Sequence, residues 1–217
     1  MKHEWKDSLT ERFEIYHLLQ HLFQAAPTTE FLTELPSLFK EPREGDSFKQ
    51  GLGPIKQDLL ALDDQVEANI RWDYTRLFVG PSKLLAPPYE SVYCSSQRLV
   101  MQESTAKIRE EYQEAGLSVL AQGEIPDDHV AIEFEFMKSL CAIALNTLEH
   151  EQWRELGSVL ECQEKFLAEH LTQWIPRFTH DIQENANTSF YKGAAELTKE
   201  FIEDELEIVK KIIKSLK

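Results

Sequence analysis

A chain of 217 residues, 42% hydrophobic and 28% charged, can bury one substantial core and has the balance of an ordinary globular protein. Its net charge of −15 leaves no excess of Lys and Arg to displace phosphate counterions, so nucleic-acid binding is not expected and basic partners are favoured. No run of about 18 apolar residues offers a membrane span. The start Met1-Lys2-His3-Glu4-Trp5 lacks an apolar leader core, and Cys94, Cys141 and Cys162 form neither a CxxC pair nor a disulfide framework; a reducing, cytoplasmic setting is expected.

A capping box from Ser8 to Glu11 predicts the start of a first helix, with Leu9, Phe13, Tyr16, Leu19 and Phe23 at helical spacing and Pro27 at its end. A short amphipathic segment, Glu30 to Phe39, comes next. Pro42, Gly45, Gly51, Gly53 and Pro54 then mark a broken region, and helix resumes from Pro54 to Leu62. Asp63-Asp64 caps a helix on which Val66, Ile70, Tyr74 and Leu77 share one face, and Gly80-Pro81 stops it. The connection that follows has no helical period, is stiffened by Pro87-Pro88 and carries Tyr89 and Tyr93. Long structureless connections are functional or disordered, and this one is too aromatic for disorder.

Ser104 to Ala115 reads as a helix with Gly116 as its stop. Gly123 to His129 opens the most apolar helix of the chain, with Pro126, Asp127 and Asp128 as first-turn or cap residues. From Val130 to Leu148 apolar side chains cover most of the circumference, which predicts a buried central helix. A helix from Trp153 to Trp174 is broken at Pro176, with a short continuation at Phe178 and Ile182. The last helix runs from about Thr188 to Leu216. No period-2 run of β-branched residues and no internal repeat occurs. The expected fold is all-α, a single domain over 1–217 with about eight to ten helices around a buried central one.

His17 and His21 have the i, i+4 spacing of a metal pair, but no further ligand is placed by sequence. No phosphate loop, dinucleotide fingerprint or nucleophile elbow occurs. Neither a cofactor nor enzymatic activity is expected. Glu124, Asp127, Asp128, His129 and Glu133 gather at the start of the apolar helix. Capping explains one aspartate, at about 0.3–1 kcal/mol. Clustered acids repel unless a cation or basic partner satisfies them, so both capping and binding stay open.

Three stretches in order resemble the TorD/DmsD family of redox-enzyme maturation chaperones, to which the NarJ-type chaperones are related. They are Tyr74-x-Arg76-Leu77-Phe78-x-Gly80-Pro81 with Ala86-Pro87-Pro88-Tyr89-Glu90-Ser91-Val92-Tyr93, then Glu124-x-Pro126-Asp127-Asp128-His129-x-Ala131 with Glu133, Phe136 and Met137, and the weaker Phe166-x-x-x-His170-Leu171-x-x-Trp174-x-Pro176-x-Phe178. The resemblance implies an all-helical cytoplasmic chaperone that holds the apo form of a molybdopterin-containing oxidoreductase, often by its twin-arginine signal peptide, until the cofactor is inserted. It implies signal-peptide binding by Tyr74, Leu77, Phe78, Pro88, Tyr89, Asp128 and His129. This chain carries Tyr at 74 and 89 where some members carry Trp, and one aspartate more before the Asp-His pair. Guanine-nucleotide binding, associated with some members, is not expected.

On this reading Leu77, Phe78, Pro88 and Tyr89 take the apolar part of the peptide, and Glu124, Asp127, Asp128 or Glu133 face its arginines. Burying about 500 Å² of apolar area contributes on the order of 12 kcal/mol; association costs about 4–15 kcal/mol. A monomer and a helix-swapped dimer are both compatible with the sequence. The alternatives are a metal-dependent hydrolase using Asp127, Asp128, His129 and Glu133, and an acidic adaptor for a basic protein.

Overall fold

The computed structural model describes residues 2–38, 49–81, 83–95, 103–118 and 125–216. These form ten α-helices: α1 (Lys2–Gln24), α2 (Thr29–Leu38), α3 (Lys49–Leu60), α4 (Asp64–Tyr74), α5 (Glu90–Cys94), α6 (Glu103–Glu114), α7 (Val130–Glu149), α8 (Trp153–Phe166), α9 (Thr172–Asn185) and α10 (Ser189–Leu216). A π turn, Thr75–Val79, extends α4, and another, Leu167–Leu171, joins α8 to α9. The expected all-α fold is observed: the described residues contain no strand, and Tyr89 and His129 form an isolated antiparallel bridge. No helix among them is long and apolar enough to cross a membrane.

The chain divides into two compact units. The first comprises Met1–Gln24, Tyr89–Trp174 and Glu205–Lys217; the second comprises Ala25–Pro88 and Ile175–Asp204. In the first, α7 is the buried helix its sequence predicts, because its apolar side chains face several neighbours at once. Phe134 meets Tyr16 and Phe23 of α1 at ring distances of 6.2 and 6.3 Å, and Phe136 meets Phe166 at 4.8 Å and Tyr112 at 4.6 Å. In the second unit Tyr74, Phe78, Phe178, Phe190 and Tyr191 form an aromatic core. Asp63 caps α4 as expected, its Oδ1 accepting the Val66 amide at 2.8 Å.

Several helix boundaries depart from expectation. Helix α1 starts six residues before Ser8, at Lys2. Its first turns are held by Lys2–Glu151 and Lys6–Glu149 ion pairs and by Trp5 set edge-on to Trp153. Helix α3 runs through Gly51, Gly53 and Pro54 instead of starting at Pro54. The remaining breakers expected there, Pro42 and Gly45, lie outside the described residues, as does Phe39. Pro176 does not end a helix. At the π turn before it, the carbonyls of Leu167 and Ala168 also accept from Thr172 Oγ1 and Gln173 Nε2 at 2.8 Å each, and α9 runs through Pro176 to Asn185. Residues Pro126 to Asp128 precede α7 instead of forming its first turn.

Candidate functional site

Tyr74, Leu77 and Phe78 stand at the end of α4 and in its π turn, and all three are buried. Phe78 contacts Tyr74 at 5.2 Å, Tyr191 at 5.4 Å and Phe178 at 6.0 Å. They belong to the core of the second unit. Gly80 ends the π turn at φ 101°, a value that suits glycine. The Ala86 amide then returns to the Leu77 carbonyl at 3.0 Å, drawing the connection back over the helix end, and Pro88 is buried. The solvent-facing apolar groups here are Trp72 and Val79.

Asp73 has a role that helical periodicity did not reveal. It is fully buried; Oδ1 accepts from Arg76 Nη2 at 2.7 Å. Oδ2 accepts from the Asn187 and Thr188 amides at 2.9 Å and from Thr188 Oγ1 at 2.8 Å, satisfying donors at the start of α10. Arg76 also donates to the Asn185 carbonyl and lies 5.3 Å from the Trp72 ring centre. The readable signal was an Asp-x-x-Arg pair interrupting a helix end that is otherwise apolar.

In the first unit the chain from Tyr89 runs beside the start of α7. The Glu90 amide donates to the Asp128 carbonyl at 3.0 Å, and the Tyr89 ring stands edge-on to His129 at 5.2 Å. Tyr89 is half-buried. The connection is shorter than expected, because Glu90–Cys94 forms the one-turn helix α5. Asp128 Oδ2 accepts the Ser91 amide at 2.9 Å and Oδ1 accepts Thr105 Oγ1 at 3.1 Å. Asp127 pairs with Arg109, and its carbonyl accepts Tyr112 Oη at 3.0 Å. Glu133 Oε2 accepts from Trp174 Nε1 at 3.0 Å, and Tyr93 stacks on that indole at 5.6 Å. Burial, reinforced by the charge of Glu90, pushes the Glu133 carboxyl well above the usual carboxylate range. Asp127, Asp128, His129 and Glu133 are therefore all buried and engaged inside the unit. Glu124 lies outside the described residues.

Two histidines in this unit are shifted in opposite directions. Burial lowers the pull of His170 on its proton, but close contact with the carboxylates of Glu111 and Glu90 and their negative charge outweigh it and hold His170 up at about 9. Burial pushes His129 down to about 4, only partly opposed by Asp128. His129 is the N-cap of α7, its Nδ1 accepting the Ala131 amide at 3.1 Å, a bond that needs a neutral imidazole.

This predicts an acid-side loss of stability. The folded pKa of His129 lies below its ordinary 6.5, so the unfolded chain binds more protons between those values. The contribution is complete above pH 6.5 and is lost as pH falls to about 4, roughly 2–4 kcal/mol in all. Urea unfolding midpoints measured over that range should fall, and His129→Asn, which keeps a capping acceptor, should flatten the slope. An unchanged slope would remove His129 as its source.

Residues 41–180 match the sequence profile of the nitrate reductase delta subunit family. Two relatives from Vibrio cholerae serotype O1 and Haemophilus influenzae extend that match. The first, chaperone protein TorD, is 27% identical over 98% of each chain. The second, described as a probable Tat proofreading chaperone DmsD, is 25% identical over 87% of each chain. A solved structure of a redox enzyme maturation protein from Archaeoglobus fulgidus aligns with a TM-score of 0.55 and 21% identity, covering 88% of this chain and 93% of that one, and shares its helical fold. The profile spans well over half of the sequence, including both stretches built around Tyr74–Tyr93 and Asp127–Glu133, and the chain belongs to the nitrate reductase delta subunit family, among the TorD/DmsD redox-enzyme maturation chaperones.

Proposed function

We propose that this protein is a cytoplasmic maturation chaperone that binds the apo form of a molybdopterin-containing oxidoreductase through its twin-arginine signal peptide, before cofactor insertion and export. The observation that carries this reading is the relation to TorD chaperones along 98% of both chains. The structure supports a division of labour within the residues singled out by sequence. Tyr74, Leu77, Phe78 and Pro88 are buried and act as the rigid support of the connection; Tyr89, half-buried, is the aromatic group that meets the apolar part of the peptide. Among the described acids of this group, Asp127 is the one whose partner is a half-exposed cation. Its partner Arg109 is 51% exposed, and its Oδ1 has no hydrogen-bond partner, so an incoming guanidinium can take the place of Arg109. Asp128 and Glu133 act by holding α5, α6 and Trp174 in place around that point.

Titration of the protein with a twin-arginine leader peptide and with its Lys-Lys version tests this. The leader should bind more tightly than the Lys-Lys peptide, because guanidinium pairs with a carboxylate in two-point fashion and ammonium does not. Tyr89→Ala should weaken binding about tenfold while the protein stays folded, the usual cost of losing a contact worth about 1.4 kcal/mol. Asp127→Asn should narrow the difference between the two peptides. Phe78→Ala serves as the control for the support role and should lower stability by about 3–5 kcal/mol. Failure of every leader from the same genome to bind would sink the reading, and unchanged affinity in Tyr89→Ala would move the contact elsewhere.

A further inference from the structure

Glu111 on α6 and the adjacent Glu169 and His170 in the π turn after α8 bring ligand-type atoms to within 4.8 Å of one another. None of the three belongs to the acid cluster before α7. The imidazole is held from behind: His170 Nδ1 lies 2.9 Å from Glu90 Oε2. Its Nε2 is in ion-pair contact with Glu111 Oε2 at 3.4 Å, outside hydrogen-bond geometry, and only 3% of the side chain is exposed. A carboxylate on one imidazole nitrogen with the other nitrogen turned toward further ligands is the arrangement that orients metal-binding histidines. The ring is fixed further by Phe166, stacked at 4.7 Å. Both histidine and glutamate come from a π turn, a feature frequent at functional sites.

Two lysines border the group. Lys165 Nζ lies 3.1 Å from Glu111 Oε1, and Lys107 Nζ lies 3.4 Å from Glu169 Oε2. Both are about half exposed, and exposed pairs of this kind contribute only about 0–1 kcal/mol, so they yield readily to a divalent ion. Glu169 is itself partly exposed and opens the group to solvent. Zinc has to displace the proton that Glu90 and Glu111 hold on His170; with it gone, one imidazole nitrogen and two carboxylates suit zinc, with water in the remaining position.

We propose that Glu111, Glu169 and His170 form a zinc-binding site, with Glu90 as the positioning residue that orients His170. The site stands apart from the client-binding reading and draws on none of its residues. Its ligands come from α6 and from the α8–α9 junction, so bound zinc ties these two elements of the first unit together.

Titration of the metal-free full-length protein with zinc sulfate against a chromogenic chelator tests the assignment, on a Cys94→Ser background that removes the exposed thiol. One equivalent of zinc should bind. Glu169→Gln, at a partly exposed position, should weaken it about tenfold or more with an unchanged circular dichroism spectrum. His17→Asn/His21→Asn, which removes the i, i+4 histidine pair of α1, should leave binding unchanged. The proposal is overturned by the absence of a stoichiometric zinc, by a site that survives Glu169→Gln at full affinity, or by one that disappears with the α1 histidines.

Discussion

Alanine at Gly51 should lower the unfolding midpoint of this protein, and alanine at Gly53, two residues along the same helix, should raise it. The helix propensity gain is the same at both positions, about 1 kcal/mol at most. What differs is the space. A Cβ on Gly51 would lie 2.5 Å from the Gly193 carbonyl oxygen and 2.7 Å from the Leu197 Cα, both backbone atoms of α10. No rotamer change relieves that contact; the two helices of the second unit have to move apart. Overpacking costs typically about 1–3 kcal/mol, and a backbone obstacle puts this case at the upper end. A Cβ on Gly53 meets nothing within 4 Å and keeps the propensity gain. The two variants should differ by about 3 kcal/mol, or roughly 6–12 °C in melting temperature for a chain of this size. Gly193→Ala should behave like Gly51→Ala, since its Cβ would meet the Gly51 carbonyl oxygen at 2.5 Å and the Ile55 amide nitrogen at 3.0 Å. Equal melting temperatures for the Gly51 and Gly53 variants would rule out the close approach of α3 and α10.

The same glycine explains where sequence patterns lose their hold on this fold. Local rules treat glycine as a helix breaker, and only a partner far along the chain turns Gly51 into a contact residue inside a helix. Ser8 is misleading in the same way: its capping box is locally sound, but surface contacts to Glu149, Glu151 and Trp153 carry the helix six residues further toward the N-terminus. Pro176 reads locally as a break, yet it is the fifth residue of α9, which runs on to Asn185. By contrast, features set by their own residues were legible. The all-round apolar character of Val130 to Leu148 specified a buried helix without reference to its neighbours. Asp63 specified a cap, and Gly80 and Gly116 adopt the positive φ values that made them stops.

The candidate site was legible as a set of positions, less so as a set of roles. Tyr74 and Leu77 carried the helical period of a core face, Phe78 entered only by the family resemblance, and the structure places all three in the core. The acids before and in the first turn of α7 were ambiguous because their partners, Thr105, Arg109 and Trp174, lie on other elements, and no spacing rule connects them. His129 as a helix cap was hidden because Asp127 and Asp128 are the more usual capping types. The Glu111, Glu169 and His170 group was invisible for a similar reason, its members being separated by two helices.

Removing either partner of the Arg12–Glu205 pair should destabilise the protein by about 3–5 kcal/mol, a large part of the stability of any domain. Arg12 of α1 donates from Nε to Glu205 Oε1 at 2.7 Å and from Nη2 to Gln163 Oε1 at 2.6 Å, with side-chain exposures of 2% and 0% for the ion pair. The pair joins α1 to the last turns of α10 through the interior of the first unit, where water cannot solvate a charge left alone. Cys141, against the same guanidinium, is a further sign of that dryness, since burial pushes its thiol up to about 12. Arg12→Met leaves a buried carboxylate and an unanswered Gln163; Glu205→Leu leaves a buried guanidinium. Each should lower the urea midpoint sharply or prevent accumulation of folded protein. The double variant should recover most of the loss, because replacing a buried pair by apolar side chains of similar size is often neutral or stabilising by about 1–4 kcal/mol. Gln163 sets the limit of that recovery, because its carbonyl loses its donor in both Arg12 variants. The coupling energy from the two single variants and the double variant separates a true buried pair from two independently tolerated charges. Single variants that unfold together with a double variant that folds would establish the pair. Additive losses would show that each charge is solvated on its own, contrary to the buried geometry.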